Sequence, residues 1–353
     1  MFVKLYRETL TPQLLQYDDF DDRGEVRYLP YLMYFHRASY RSPVINTDRL
    51  GFRLSRGPGG QTASAAGELP KGPVKLLMGS STALGIGATN DGATISSRLW
   101  STYAPSAPWL NFGGRSHNSA QELMLFLFHQ HLLPEVEEIV ILSGLNNLAL
   151  SLLPEWQRGE DGAFFFSGEY FEAMDELRAK ARKPAKAPAR GLTGLLADRK
   201  PAAPAPRRPA ERKRTLPELI DTAAGLTGRH LESLRKLVGP DVKITYALQP
   251  MAPWLREEHA PQEKLLFEEL NSLSSNGSFE ENYGIIASIE AGRTYAEALR
   301  VVTEKAGARF FDLNPAVADA IKPADWLFVD RAHYTDEGHE IVTRVMAETL
   351  GLS

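Results

Sequence analysis

Short apolar runs alternate with stretches of helical period along most of the chain. Val74–Met78 (VKLLM) is a continuous run ending at Gly79, and Trp109–Phe112, Glu138–Ser143 (EIVILS), Val242–Leu248 (VKITYAL) and Arg309–Leu313 (RFFDL) repeat the pattern. Each predicts a buried strand. Between them, SAQELMLFLFHQHLLP predicts a helix, with Ser119 and Glu122 in capping-box spacing and Pro134 closing it. Arg293–Lys305 predicts a second helix with Gly307 just past its end, and Thr335–Leu350 a last one opened by a Thr-Asp cap. Apolar strands alternating with helices predict a parallel sheet covered on both faces. Ligands of such sheets bind at the carboxyl ends of the strands.

Two regions stand outside this alternation. Residues 1–72 are rich in Tyr, Asp and Arg, with Gly/Pro clusters at 57–60 and 67–72, and are expected to form an N-terminal extension packed on the main domain, residues 73–353. Residues 178–214 hold 13 Lys or Arg, six Pro and ten Ala, with no aromatic and no sustained period. Such a segment cannot bury enough apolar surface to offset its ordering entropy, which predicts a disordered basic insertion. Its net charge of +11 leaves −15 for the rest of a chain whose total is −4. Contact with nucleic acid or an anionic protein is the partner this charge would suit; a solvated loop is the plainer expectation.

Composition narrows the chemistry. With 353 residues, 43% hydrophobic, there is ample chain for a core. The absence of cysteine removes disulfides, a thiolate nucleophile and Cys-type metal sites. Lys4, Arg7 and Glu8 interrupt the apolar residues of the N-terminus, and no run approaches the ~18 apolar residues of a membrane span. The expectation is a soluble, cytoplasmic protein.

Candidate chemistry gathers at strand ends. The first strand runs into Gly79-Ser80-Ser81-Thr82-Ala83-Leu84-Gly85. A serine on a tight strand-to-helix turn exposes its hydroxyl, a suitable place for a nucleophile. The third strand ends in Gly144-Leu145-Asn146-Asn147, where a carboxamide can donate to a developing oxyanion. Asp330-Arg331-Ala332-His333 precedes the last helix, and an Asp three residues before a His can reach back to the imidazole. Arg115 and His117 are candidates for binding an anionic substrate group, and Trp254, Arg256 and the helix after them for lining a cleft. Each feature alone also has an ordinary reading as a turn, a cap or a packed side chain.

Together and in order, these pieces resemble the SGNH hydrolase superfamily, also called GDSL-type esterases. GSSTALG is similar to the first block, Gly-Asp-Ser-x-x-x-Gly, with Ser81 in the nucleophile position. Asn111-Phe-Gly-Gly-Arg-Ser116 is similar to the second, an Asn-x-x-x-x-Gly turn. GLNN is similar to Gly-x-Asn-Asp, with Asn146 as oxyanion donor, and DRAH to Asp-x-x-His, with Asp330 and His333 as charge partner and base. Asn46-Thr47-Asp48 and Gly51-Phe52-Arg53 also resemble a segment found ahead of this domain in some relatives. Three positions depart from the pattern: Ser80 and Asn147 replace Asp residues, and Ser116 stands in place of Gly, with Gly113 or Gly114 as alternative alignments.

The resemblance implies a three-layer α/β/α sandwich with a five-stranded, mostly parallel, flavodoxin-like sheet. It implies acyl transfer from a small-molecule or carrier-bound ester through Ser81, His333 and Asp330. The oxyanion would be held by the backbone N–H groups of Ser81 and Ser116 and by the Asn146 side chain. No metal or organic cofactor is implied. An O-acyltransferase on the same scaffold, or a catalytically idle binding protein, are the alternatives.

Overall fold

The computed structural model describes residues 5–20, 27–29, 31–165, 212–274 and 277–352, with 167, 170, 173, 174, 176 and 177. The basic stretch 178–214 therefore lies outside the described residues except for 212–214. Before the main sheet the chain makes two small antiparallel pairs, β1 (Arg27–Leu29) with β2 (Met33–Phe35) and β3 (Ser55–Arg56) with β4 (Thr62–Ala63).

Five strands then build one sheet: β5 (Val74–Gly79), β6 (Trp109–Gly113), β7 (Val136–Ser143), β8 (Lys243–Leu248) and β9 (Arg309–Asp312). Their order is β6-β5-β7-β8-β9 and every pairing is parallel. This is the expected doubly wound sheet, and each apolar run seen in the sequence is one of its strands. Helices Ser119–His129, Leu216–Val238 and Ile289–Lys305 pack together on one side, and Leu313–Ala320, Asp336–Leu350 and Ile95–Arg98 group on the other. The core runs through both layers, from Leu76, Phe112 and Ile141 in the sheet to Leu231, Leu299 and Met346 in the helices. Leu32, Phe35 and Phe52, from before residue 73, enter the same core.

The first crossover goes to one side of β5 and the next to the other. The strand order therefore reverses beside β5, where a crevice opens at the carboxyl edge. Register aligns Gly79 with Gly113 and Leu142, and Ser143 with Leu248, so the turns after β5, β6, β7 and β8 share one edge. Gly79 is required at this crowded point. Its φ is +146°, and a Cβ there would sit 2.1 Å from the Leu142 carbonyl oxygen.

Two helix boundaries differ from expectation. The helix after β6 is capped by Asn118, with Gln121 reaching back, not by Ser119 and Glu122. Both pairs fit the spacing, but Glu122 points inward and accepts from Ser143 Oγ at 2.5 Å. The helix expected from Arg293 begins at Ile289, because Ser288 accepts from the Ala291 amide and caps it.

Candidate active site

Ser81 is the first residue of a single helical turn, Ser81–Leu84, that follows β5 directly. Gly85, in the left-handed conformation, ends the turn and its amide bonds back to the Ser81 and Thr82 carbonyls. The Ser81 side chain is thereby held at the sheet edge. Its Oγ lies 2.7 Å from His333 Nε2. His333 Nδ1 lies 2.7 Å from Asp330 Oδ2, and Asp330 Oδ1 accepts from the amides of Ala332 and His333 at 2.8 Å each. With a carboxylate on one side and a hydroxyl on the other, the neutral ring carries its proton on Nδ1 and presents the Nε2 lone pair to Ser81. Burial alone would raise the Asp330 carboxyl. The imidazole beside it and the two amide donors outweigh that effect and hold it below the ordinary carboxylate value.

The third strand end brings up the carboxamide. Asn146 Nδ2 donates to the His117 carbonyl at 2.7 Å, which fixes the amide plane and leaves its second N–H available. Asn146, Ser81 and Ser116 all line one cleft of about 340 Å³, with His333 and Asp330 on its wall. The alternatives to Ser116 are engaged elsewhere. The Gly113 amide donates to Asn111 Oδ1 and the Gly114 amide to the Gly79 carbonyl. Ser116 itself has φ +55°, a left-handed conformation unusual for serine. Among the described residues the Ser81 and Ser116 amides have no hydrogen-bond partner.

Side chains at two departures from the family pattern have partners. Ser80 Oγ donates to Gln249 Oε1 at 3.3 Å, and Gln249 Nε2 donates to Thr82 Oγ1 at 2.9 Å, so one buried amide joins the residues on either side of Ser81. Asn147 Oδ1 accepts from the Ser119 amide while its Nδ2 donates to Ser119 Oγ and Thr227 Oγ1, tying three helices together. Gln249 was missed by sequence reasoning because it follows a strand as an ordinary stop. Only the long-range contact shows what it joins.

Other candidates lie elsewhere. His117 is buried among the rings of Tyr34, Phe35 and His36, and burial pushes its pKa down to about 4. Arg115 uses both its backbone groups on Tyr34 and His36. Trp254 is in the core, donating to the Ile286 carbonyl, and Arg256 pairs with Glu263 at 2.8 Å. Neither lines the cleft, although the helix after them, Pro261–Leu273, does so through Leu270. Apolar side chains do, among them Leu145, Phe165, Met251, Leu270, Phe279 and Ile286. Arg331 also lines it, but its charge is met by Glu280 at 3.3 Å and its guanidinium lies over the rings of Phe279 and Phe267. No described helix is long and apolar enough to cross a membrane.

No protein-family model matches this chain, and no curated protein matches it. Similar solved structures include a member of the lipolytic protein G-D-S-L family from Veillonella parvula, at 9% identity and TM-score 0.40, covering 79% of this chain and 99% of that one. A lipase/acylhydrolase from Enterococcus faecalis is 11% identical, with TM-score 0.40 and coverage of 79% and 95%. A carbohydrate acetylesterase from Sinorhizobium meliloti is 12% identical, with TM-score 0.41 and coverage of 79% and 99%.

Proposed function

We propose that the protein is a serine-dependent ester hydrolase that acts through Ser81, with His333 as base and Asp330 as its partner. The observation that carries this reading is the unbroken hydrogen-bonded chain Ser81–His333–Asp330, 2.7 Å at each link, opening into a cleft beside Asn146. The Ser81 oxygen attacks the ester carbonyl carbon as His333 Nε2 takes its proton. Asp330 stabilises the imidazolium that forms. The carbonyl oxygen becomes an oxyanion, met by the amides of Ser81 and Ser116 and by Asn146 Nδ2. The C–O bond to the alcohol then breaks, and His333 returns the proton to the leaving oxygen. A water molecule, deprotonated by the same imidazole, attacks the acyl-enzyme; the acyl–Oγ bond breaks, His333 returns the proton to Ser81 Oγ, and the acid leaves.

A cleft of about 340 Å³ lined mainly by apolar side chains suits a small ester with an uncharged acyl or alcohol group. A fluorophosphonate probe should label Ser81, and Ser81→Ala should lose both labelling and esterase activity while keeping the wild-type melting temperature. Labelling that survives in Ser81→Ala, or moves to Ser80, would sink the assignment. Adding acceptor alcohols to the same ester assay separates hydrolysis from acyl transfer.

A further inference from the structure

We propose that residues 14–20 and 32–53 act as positioning elements for this site: Tyr34 and His36 hold the loop that presents the Ser116 amide, while Tyr17 and Arg53 hold the turn that presents Ser81. The inference rests on the reading of Ser81 and Ser116 given above.

The first contact is with the loop after β6. Arg115 precedes Ser116, and both of its backbone groups are bonded to this stretch. Its N–H donates to His36 Nε2 at 3.1 Å, and its carbonyl accepts from the Tyr34 hydroxyl at 2.9 Å. His36 can accept because its other nitrogen faces the Gly51 carbonyl at 3.1 Å, which places the ring proton on Nδ1. Burial drives the His36 pKa down to about 3, so the ring stays neutral and Nε2 keeps its lone pair. Ser116 follows in a left-handed conformation that a serine keeps only where its surroundings impose it.

The second contact is with the nucleophile turn. One helical turn is too short to be stable alone, and its terminal carbonyls need donors. Asn111 Nδ2 donates to the Ala83 and Leu84 carbonyls at 3.0 and 3.4 Å, and Arg53 supplies the charged donor. Its fully buried Nη1 donates to the carbonyls of Leu84 and Gly85 at 3.2 and 2.8 Å, and to the Tyr17 hydroxyl at 2.9 Å. Nη2 donates to the Val44 carbonyl, and Nε to Asp91 Oδ1 at 3.0 Å. The Tyr17 hydroxyl in turn lies 2.9 Å from the carbonyls of Gly85 and Ala88.

The third contact is apolar. Leu14, Tyr17, Phe20, Val44 and Ile45 form one buried cluster with Leu84 and Ile86, which follow Ser81, and with Val329, which precedes Asp330. Residues 14–20 and 32–53 thus touch the Ser81 turn, the loop before Ser116 and the residue before Asp330. A segment that only covered apolar surface would have no need to bond backbone groups at 84, 85 and 115.

Tyr34→Phe removes a single hydroxyl and alters nothing that lines the cleft. Displacing an oxyanion donor is milder than deleting one, so kcat on a p-nitrophenyl ester should fall about tenfold with KM unchanged. Affinity for a trifluoromethyl ketone, whose adduct carries the oxyanion, should weaken by the same factor. His36→Phe should act in the same direction and further. Leu231→Ala, on the buried face of the helix Leu216–Val238, provides a destabilised control whose kcat per folded molecule should stay at the wild-type value. Wild-type kcat and ketone affinity in folded Tyr34→Phe and His36→Phe would overturn the positioning role while leaving the hydrolase reading intact. A wild type that neither hydrolyses esters nor reacts with fluorophosphonate at Ser81 would overturn both.

Discussion

Asn146→Ala separates transition-state stabilisation from simple binding at this site. Asn146 Nδ2 has two hydrogens, and one is spent on the His117 carbonyl at 2.7 Å. The other is the donor assigned to the oxyanion. Removing a side-chain oxyanion donor costs about 2.7–4 kcal/mol of transition-state stabilisation, or roughly 10²–10³ in kcat. The ester carbonyl of the ground state gains little from that donor, so KM should change less than about threefold. The substitution also leaves the buried His117 carbonyl without its partner, at a cost of about 1–3 kcal/mol in stability. Activity must therefore be expressed per folded molecule, with the folded fraction read by circular dichroism. Asn146→Asp is the informative companion. A carboxylate there would face both the His117 carbonyl and the developing oxyanion, and the variant should be slower than Asn146→Ala. A kcat within threefold of wild type in Asn146→Ala would refute the donor role. So would an Asn146→Asp enzyme faster than Asn146→Ala.

Three further outcomes follow from the same geometry. Asp330→Asn should keep the Ala332 and His333 amide contacts yet favour the wrong imidazole tautomer, lowering kcat by about 10⁴, and the Asp330→Asn/His333→Ala double variant should be hardly slower than His333→Ala alone, since the groups act as a unit; multiplicative losses would argue against a coupled triad. Ser116→Gly should keep kcat near wild type, because the assigned donor is a backbone N–H, and should shift stability by less than about 1 kcal/mol as relieved left-handed strain offsets added chain entropy; a hundredfold loss of kcat would instead implicate the hydroxyl. Burial raises the Glu122 carboxyl from its ordinary 4.5 to about 8, so its contribution to stability is complete below about 4.5 and is lost as the pH rises toward 8, at about 1.4 kcal/mol per unit within that window; Glu122→Gln should flatten this part of a melting-temperature profile, and an unchanged slope would refute the assignment.

The sheet was legible because its strands carry local signals: an apolar run of fixed length, closed by Gly or Pro, needs no knowledge of the rest of the chain. The groups proposed to react were legible for a related reason. A nucleophile, a carboxamide and an Asp-x-x-His pair must each sit at a set offset from a strand end or helix cap. The capping box missed by one residue because Asn118/Gln121 and Ser119/Glu122 satisfy the same spacing, and only the inward turn of Glu122 onto Ser143 decides between them. The helix Leu216–Val238 is not among the predicted elements, although its Thr215/Glu218 cap and the buried positions 219, 220, 223, 224, 227, 231 and 234 carry the helical period.

The holding groups belong to a different class of problem. Chemistry asks for a residue type at a fixed point in a motif, whereas a clamp asks only for a donor or acceptor at a point in space, which any part of the chain can supply. Arg53 is the clearest case. Sequence statistics place an arginine on the surface, because burying a guanidinium costs several kcal/mol unless its donors are met. Here each nitrogen of the head group has a partner, and the partners include the two carbonyls that end the Ser81 turn, the Asp91 carboxylate and Tyr17. Removing the turn would leave the charge buried with donors unmet, and removing the charge would take a charged donor from both carbonyls and from Asp91, leaving them the neutral donors of Tyr17, Asn111, Ala88 and Asn46. The stretch before the sheet and the turn that carries Ser81 are thus energetically one unit although some 30 residues of chain separate Arg53 from Leu84, and neither can change alone without exposing the other to that cost.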